Sequence, residues 1–481
     1  METQPDPESI VENNGDNVKY EEPYSILSQK EKYALTVLLS MTAIWSTLSS
    51  SIYFPAIPVI AKTFDVSTSL ANLTVVAYLI LQGISPTFIA PFADSFGRRP
   101  IILACLLSYC ATCIAISQTK VYWLLTVLRC IQSATIAPCV AVTSGVLGDV
   151  CVREERGTYI GLLSGGTLVG QGFGALVGAA VMTRFSWRGI FVLLAVGSGI
   201  VFILNLIFLP ETNRQIVDNL SVFPEKARNR LPIIYKRSFA GRMHRNTLLS
   251  NNTQLHYNPL TPYKIFFNFH IFLSLLAAGL QFMVWTMALA SLSTSLENSY
   301  HFPMIKVGLC YLSSGLATLI GSIASGRILD WNYKRHFEKT KAFNEENNPS
   351  CKFNLSRARL EVTLIPTFLL IGCFMVFGWC LDLKTNIAPI LISAFVFSFC
   401  TVFFMSSLTV LLVDLFPESS SSLTSSLNLM RCLLASLGVG VLQNIIDTMG
   451  IGFCYVLMGG LCGTGALLIY FFQFILHKST T

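Results

Sequence analysis

Asp94-Ser95-Phe96-Gly97-Arg98-Arg99 is a short charged patch set between two long apolar runs, residues 70–90 and 100–118. Each run is about 20 residues long, which at a rise of 1.5 Å per residue matches the roughly 30 Å hydrocarbon core of a bilayer. One acid and two bases in that position read as a loop at a membrane surface, between two crossings.

Working outward, similar runs recur along the 481 residues at 34–54, 70–90, 100–118, 121–146, 157–182, 189–209, 265–288, 306–325, 361–381, 386–413, 423–446 and 452–474. Composition agrees, with 53% hydrophobic, 12% charged and 12% aromatic residues. The runs are continuous rather than alternating, which excludes a membrane β-barrel and leaves helices to satisfy the backbone in lipid. The expected fold class is therefore all-α integral membrane, with twelve transmembrane helices, numbered here as spans 1 to 12.

Charge divides this frame. Residues 1–33 carry 8 acids against 3 bases and few apolar groups, so they read as a disordered tail. Residues 210–264 form a central loop with 9 bases against 3 acids, separating a first six-helix bundle at 34–209 from a second at 265–474, which a tail at 475–481 follows. Of 33 Lys and Arg residues, 25 fall on the side of the amino terminus, 6 on the other, and Arg129 and Arg431 inside spans. Basic loops stay in the cytosol, so both termini are expected there. Span 1 itself is expected to direct insertion, without a cleaved signal peptide. The 14 cysteines sit almost entirely in apolar runs and read as packing residues.

The two halves repeat each other. Asp330 follows Asp94 by 236 positions, and Asp414 follows Asp149 by 265, the difference lying in a longer loop after span 8. In each half an acid precedes two bases by four and five positions: Asp94 before Arg98 and Arg99, and Asp330 before Lys334 and Arg335. Internal duplication of this kind is typical of transporters. No phosphate-binding Gly-x-x-x-x-Gly-Lys loop, zinc-binding His-Glu-x-x-His or nucleophile-base pair is present, so neither an ATP-driven pump nor an enzyme is indicated, and no cofactor, metal or nucleic acid is expected.

Several residues stand out by type and place. Arg98 and Arg99 can donate charge-assisted hydrogen bonds to carboxylates at neighbouring helix ends, or simply anchor the loop on the cytosolic side. Arg129 lies about eight residues into span 4, where a charge needs a cavity or a partner unless it snorkels to the headgroups. Gln132 shares its face. Arg431 lies early in span 11, and the serine-rich stretch before it would leave it near the inner interface. Gly166, Gly170, Gly174 and Gly178 form a stripe at spacing four, along which another helix can pack closely. Gln82, Gln171 and Gln281 either line a cavity or bond between helices. None of the 26 acidic residues falls in mid-span.

These features resemble the major facilitator superfamily, whose loop 2–3 signature is matched by Asp94, Gly97, Arg98 and Arg99, with Ala90 where a leading glycine is usual. Tyr53-Phe54-Pro55-Ala56-Ile57-Pro58, Arg129 with Gln132, Trp187-Arg188, Leu209-Pro210-Glu211-Thr212 and Asn428 to Cys432 narrow the similarity to twelve-span drug:proton antiporters, in particular the fungal quinidine-resistance and dityrosine-exporter group. The resemblance implies two bundles rocking about a central cavity, and an inner gate latched by the loop signature through Asp149, Glu154, Glu155 or Arg156. It also implies proton coupling at Arg129, and helix movement along the glycine stripe. The usual proline after Gly170 is Gln171 here, which removes a kink. The expected activity is export of drugs, organic cations or other amphipathic small molecules across the plasma membrane, by a monomer, in exchange for protons. Alternatives are a cell-wall precursor exporter, a polyamine carrier, an uncoupled facilitator, or a transporter-like nutrient sensor.

Overall fold

The computed structural model describes residues 24–220, 268–346, 355–415 and 420–480. Most of the 210–264 loop, most of the N-terminal tail, the last residue of the C-terminal tail and the side chains of His270, Glu154 and Arg156 lie outside what is described. Every regular element among the described residues is helical.

Among the described residues eleven helices are long and apolar enough to cross a bilayer. The last, Ser420–Thr480, is two helices joined at Gly450, whose φ of 81° and ψ of 165° no helix accommodates. Glycine is suited to that turn because it has no Cβ to clash at positive φ. Counted that way, the described residues are consistent with the twelve passes expected from the apolar runs.

Local chemistry explains where the boundaries differ. Span 1, Gln29–Ser51, starts before residue 34 because Ser28 and Glu31 form a capping box, each side chain bonding the other's backbone N–H. It then breaks at Tyr53. Pro55 and Pro58 sit at the first positions of a one-turn 3-10 helix, Phe54–Ala56, and a short helix, Ile57–Phe64, where a missing N–H does no harm. Span 8, Met304–Glu346, runs 43 residues, about 64 Å at helical rise, far beyond 306–325. Its last third is rich in Lys and Glu and free of Gly and Pro, so the helix continues after the apolar face ends.

The halves pack by the same scheme. Span 1 lies on span 5, Arg153–Arg184, as span 7, Phe269–Asn298, lies on span 11. Span 2, Thr68–Phe96, lies on span 4, Tyr122–Val150, as span 8 lies on span 10, Ile387–Leu415. The halves meet where span 5 packs on span 8 and span 2 on span 11.

Named contacts across this seam lie at mid-depth and toward the face opposite the amino terminus. A methyl built on Gly172 would stand 3.0 Å from Gly315 O, so the two backbones touch there. Asn428 Nδ2 donates to Gln82 O at 3.1 Å, and the Phe54 and Tyr311 rings stack with centroids 6.4 Å apart. Nearest the far face, Lys62 Nζ meets Glu297 Oε1 at 2.5 Å. It is the one ion pair joining the halves among the described residues.

Candidate functional site

At the face of the amino terminus, span 2 ends at Gly97, whose φ of 109° lets the chain reverse directly into span 3, Arg98–Ser117. That turn aims Arg98 at the end of span 4. Its guanidinium forms an ion pair with Asp94, and Nε donates to Asp149 Oδ2 at 3.0 Å. Gly145 supplies the bed, since a methyl there would stand 2.8 Å from Arg98 Cζ. Arg99 turns the other way and donates from Nη2 to Leu206 O at 2.8 Å.

The centre of this cluster is Glu211, which the sequence marks only as part of a family motif. Its fully buried carboxylate accepts from Arg98 N at 2.8 Å, Thr212 N at 3.0 Å, Asn213 N at 3.1 Å and Arg99 N at 3.3 Å. Two of those donors are the free N–H groups at the start of span 3, an anion-binding position for which the local sequence offers no capping side chain. Burial raises the carboxyl above its ordinary range, and the four backbone donors pull it back. Arg214 closes the edge, donating to Asp149 O and Tyr24 O while lying 3.5 Å over the Tyr24 ring.

The second half builds the same device from different residues. Asp330 and Asp414 stand where the repeat puts them, but Arg359 joins them, with Nη2 3.0 Å from Asp414 Oδ2 and Nη1 3.5 Å from Asp330 Oδ1. Arg359 also lies 4.5 Å over the Tyr333 ring. Arg335 instead lies 5.5 Å over Trp331. The arginine thus follows its acid by 29 positions in this half and by 4 in the first, because the insertion after span 8 falls inside the motif. Glu155 also departs from the expected cluster, accepting from Lys32 at 2.9 Å and Gln29 at 2.7 Å of span 1.

In the first bundle Arg129 is enclosed. Its guanidinium carbon lies 4.0 Å from the Tyr53 ring centroid and 4.2 Å from that of Tyr78, and Nη1 donates to Gln132 Oε1 at 2.8 Å. Gln132 passes the contact on to Cys113 Sγ at 3.2 Å. Tyr53 is fixed by Thr74 at 2.7 Å and Tyr78 by Ser46 O at 3.3 Å. Among the described residues no carboxylate pairs with Arg129, so two aromatic faces stabilise the cation in place of an acid. Arg431 lies about 16 Å into span 11, because the serine-rich stretch from 420 is itself helix.

The four stripe glycines face span 1 within the same bundle. A methyl on Gly170 would stand 2.6 Å from Thr47 Oγ1, one on Gly166 would stand 3.0 Å from Ser40 Cβ, and Gly174 and Gly178 abut Ser51 and Ile52. Thr47 and Ser51 hydroxyls donate to Thr167 O at 2.7 Å and Gly170 O at 3.0 Å. The glycine at the seam is Gly172, on the other side of span 5. Beside it lies a narrow pocket between the halves, lined by Phe54, Gln171, Trp285, Tyr311 and Thr318 without any charged group. Gln82 sits at the same seam through its backbone carbonyl, and Gln281 is buried with neither amide atom bonded.

Residues 39–439 match the family model described as Major Facilitator Superfamily. The chain is 46% identical over 447 residues to the Candida albicans protein named MFS antiporter QDR2, covering 92% of this chain and 88% of that one. It is 36% identical to Quinidine resistance protein 1 of Saccharomyces cerevisiae, covering 93% and 84%. Among solved structures, the crystal structure of the human organic anion transporter MFSD10 (TETRAN) aligns with a TM-score of 0.59 at 14% identity, over 91% of this chain and 99% of that one, a likeness of fold. The chain belongs to the major facilitator superfamily.

Proposed function

We propose that this protein exports amphipathic drugs, organic cations among them, by alternating access and in exchange for protons. The observation that carries the reading is the seam between the halves, where Phe54, Trp285 and Tyr311 enclose a space of about 10 Å³, room for one water, and would close on an amphipathic or cationic molecule without a buried acid only once the halves part. The names of the similar fungal proteins, an antiporter and a quinidine-resistance protein, point the same way.

In this reading residues 34–209 and 265–474 are the moving bundles, the 210–264 loop and both termini are cytosolic, and the protein works as a monomer in the plasma membrane. The seam is closed at mid-depth and at the far face, which corresponds to a cargo path from the cytosol. The Asp94-Arg98-Asp149 and Asp330-Arg359-Asp414 clusters serve as paired hinges at the cytosolic end, each holding its own bundle's helix ends at fixed distance. Arg129, fixed between Tyr53 and Tyr78, is the buried positive charge on which proton coupling bears, next to the Phe54 wall of the pocket.

The test is accumulation of labelled quinidine in inside-out vesicles under an imposed pH gradient. Uptake above equilibrium that collapses with the gradient supports antiport. Saturable uptake that stops at equilibrium identifies a facilitator instead.

A further inference from the structure

Because Arg359 occupies the place between Asp330 and Asp414, Lys334 and Arg335 are left without those acids. Both are exposed, as is Arg327, and none of the three has a salt bridge or a hydrogen bond among the described residues. The far side of the helix fixes which way they point. Asn332 donates to Ala358 O at 2.7 Å, His336 Nε2 lies 2.8 Å from Glu361 Oε2, and Leu329 is buried, so the second bundle lies on that side. Opposite them, at 3.6 residues per turn, Ile320, Ile323, Arg327, Trp331 and Lys334 fall within about 80° of arc, with Arg335 at its edge. Ile320, Ile323 and Trp331 are 49%, 62% and 60% exposed. The isoleucines belong to the lipid-facing side of span 8, and the bases continue that side past the end of the apolar run.

A lipid-facing apolar stripe that passes directly into an exposed tryptophan flanked by bases has the chemistry of a bilayer surface. The amphipathic indole ring suits the headgroup level, and Lys and Arg at that level attract anionic lipids. Arg327 and Lys334 stand about 10 Å apart along the axis, one on each side of Trp331, close enough for their long side chains to reach one headgroup. Arg335, its guanidinium carbon 5.5 Å over the Trp331 ring, presents a planar fork of donors that a phosphate can accept in pairs. Glu338, a turn beyond Lys334, limits the basic stripe to that depth. From this geometry we infer that Arg327, Trp331, Lys334 and Arg335 form a binding site for the phosphate headgroup of an anionic phospholipid, in the leaflet on the side of the amino terminus. The site lies outside the cargo path and goes beyond the export reading. Its ligand anchors the long helix of span 8 at the bilayer surface and so bears on stability rather than on turnover.

The experiment measures the melting temperature of the full chain in neutral detergent with added phosphatidylinositol, phosphatidylcholine or free inositol phosphate. Phosphatidylinositol should raise it, since a ligand that binds only the folded state stabilises that state, and the other two should not. Lys334→Gln with Arg335→Gln should need about tenfold or more phosphatidylinositol for half the shift, at about fivefold per base, and adding Arg327→Gln should weaken the response further. Lys30→Gln with Lys339→Gln removes as many charges on the same face and should keep the wild-type response. Lys334→Gln alone, expected to shift the half-point about fivefold, repeats the test should the pair fail to fold. No response in the wild type, an equal response to phosphatidylcholine, or equal behaviour of the two pairs would overturn the site. A shift produced by free inositol phosphate would overturn it too, by making the ligand a soluble phosphate rather than a lipid.

Discussion

Lys62 and Glu297 tie the first bundle to the second at the face opposite the amino terminus, with Lys62 at the end of the short helix after span 1 and Glu297 at the end of span 7. Glu297 is largely buried and Lys62 is 70% exposed, so the pair adds little to folding. Its position across the seam gives it leverage on which face is closed.

Reversing one charge, Lys62→Glu or Glu297→Lys, should therefore raise the population open at that face, and Lys62→Glu with Glu297→Lys together should bring it back. The expected change is about 1.5- to 5-fold, the range of an exposed ion pair of about 0.2–1 kcal/mol. Spin labels at Asp65 and Ser299, read by pulsed electron resonance, measure it as the share of long distances.

Glu211 is expected to matter for stability rather than for cargo. Glu211→Ala leaves four backbone N–H groups without their acceptor and should cost about 1–3 kcal/mol, seen as a lower melting temperature in detergent. Burial raises the carboxyl in the folded protein, so the folded state holds its proton to higher pH than the unfolded one does. Stability should then fall as pH rises from the ordinary carboxylate value through the raised one, and Glu211→Gln should flatten that slope.

In the second bundle Arg359→Gln should reduce transport about tenfold or more, because it leaves Asp330 and Asp414 facing each other without a cation. Lys334→Gln and Arg335→Gln should stay within about twofold, since Arg335 serves Trp331 rather than the acids. Initial rates of drug uptake in vesicles, normalised to protein content, decide between the two sets.

The two glycine faces of span 5 should separate in mutation. Gly170→Leu drives a side chain into Thr47 and Ile44 within one bundle and should lower the amount of folded protein. Gly172→Ala meets the backbone of Gly315 across the seam. It should leave the folded yield near normal while slowing transport several-fold, as measured by counterflow against fluorescence-detected size exclusion.

What could be seen in the sequence follows from range. Twelve apolar runs, the basic face, and the acids Asp94, Asp149, Asp330 and Asp414 are local or repeat at fixed offsets, so they are legible directly. Arg359 is hidden because an insertion separates it from Asp330, and the nearer Lys334 and Arg335 mimic the expected spacing. Glu211 is hidden for a different reason. It caps a helix that begins 113 residues earlier in the chain, and no local pattern announces a cap supplied from such a distance. The stripe at Gly166 to Gly178 is plain as spacing, yet which helix it meets is a tertiary fact, as is the role of Gly172 on the opposite side. Tyr53 and Tyr78 around Arg129 belong to the same class: one lies in a recognisable motif, the other in an ordinary apolar run.

The most direct test of coupling without a mid-span acid is proton movement in dye-loaded liposomes on addition of quinidine, with Arg129→Ala alongside. Cargo-dependent proton flux in the wild type, abolished in Arg129→Ala while quinidine binding persists, is the predicted result. Quinidine transport with no proton movement, or proton flux that Arg129→Ala leaves intact, would contradict it.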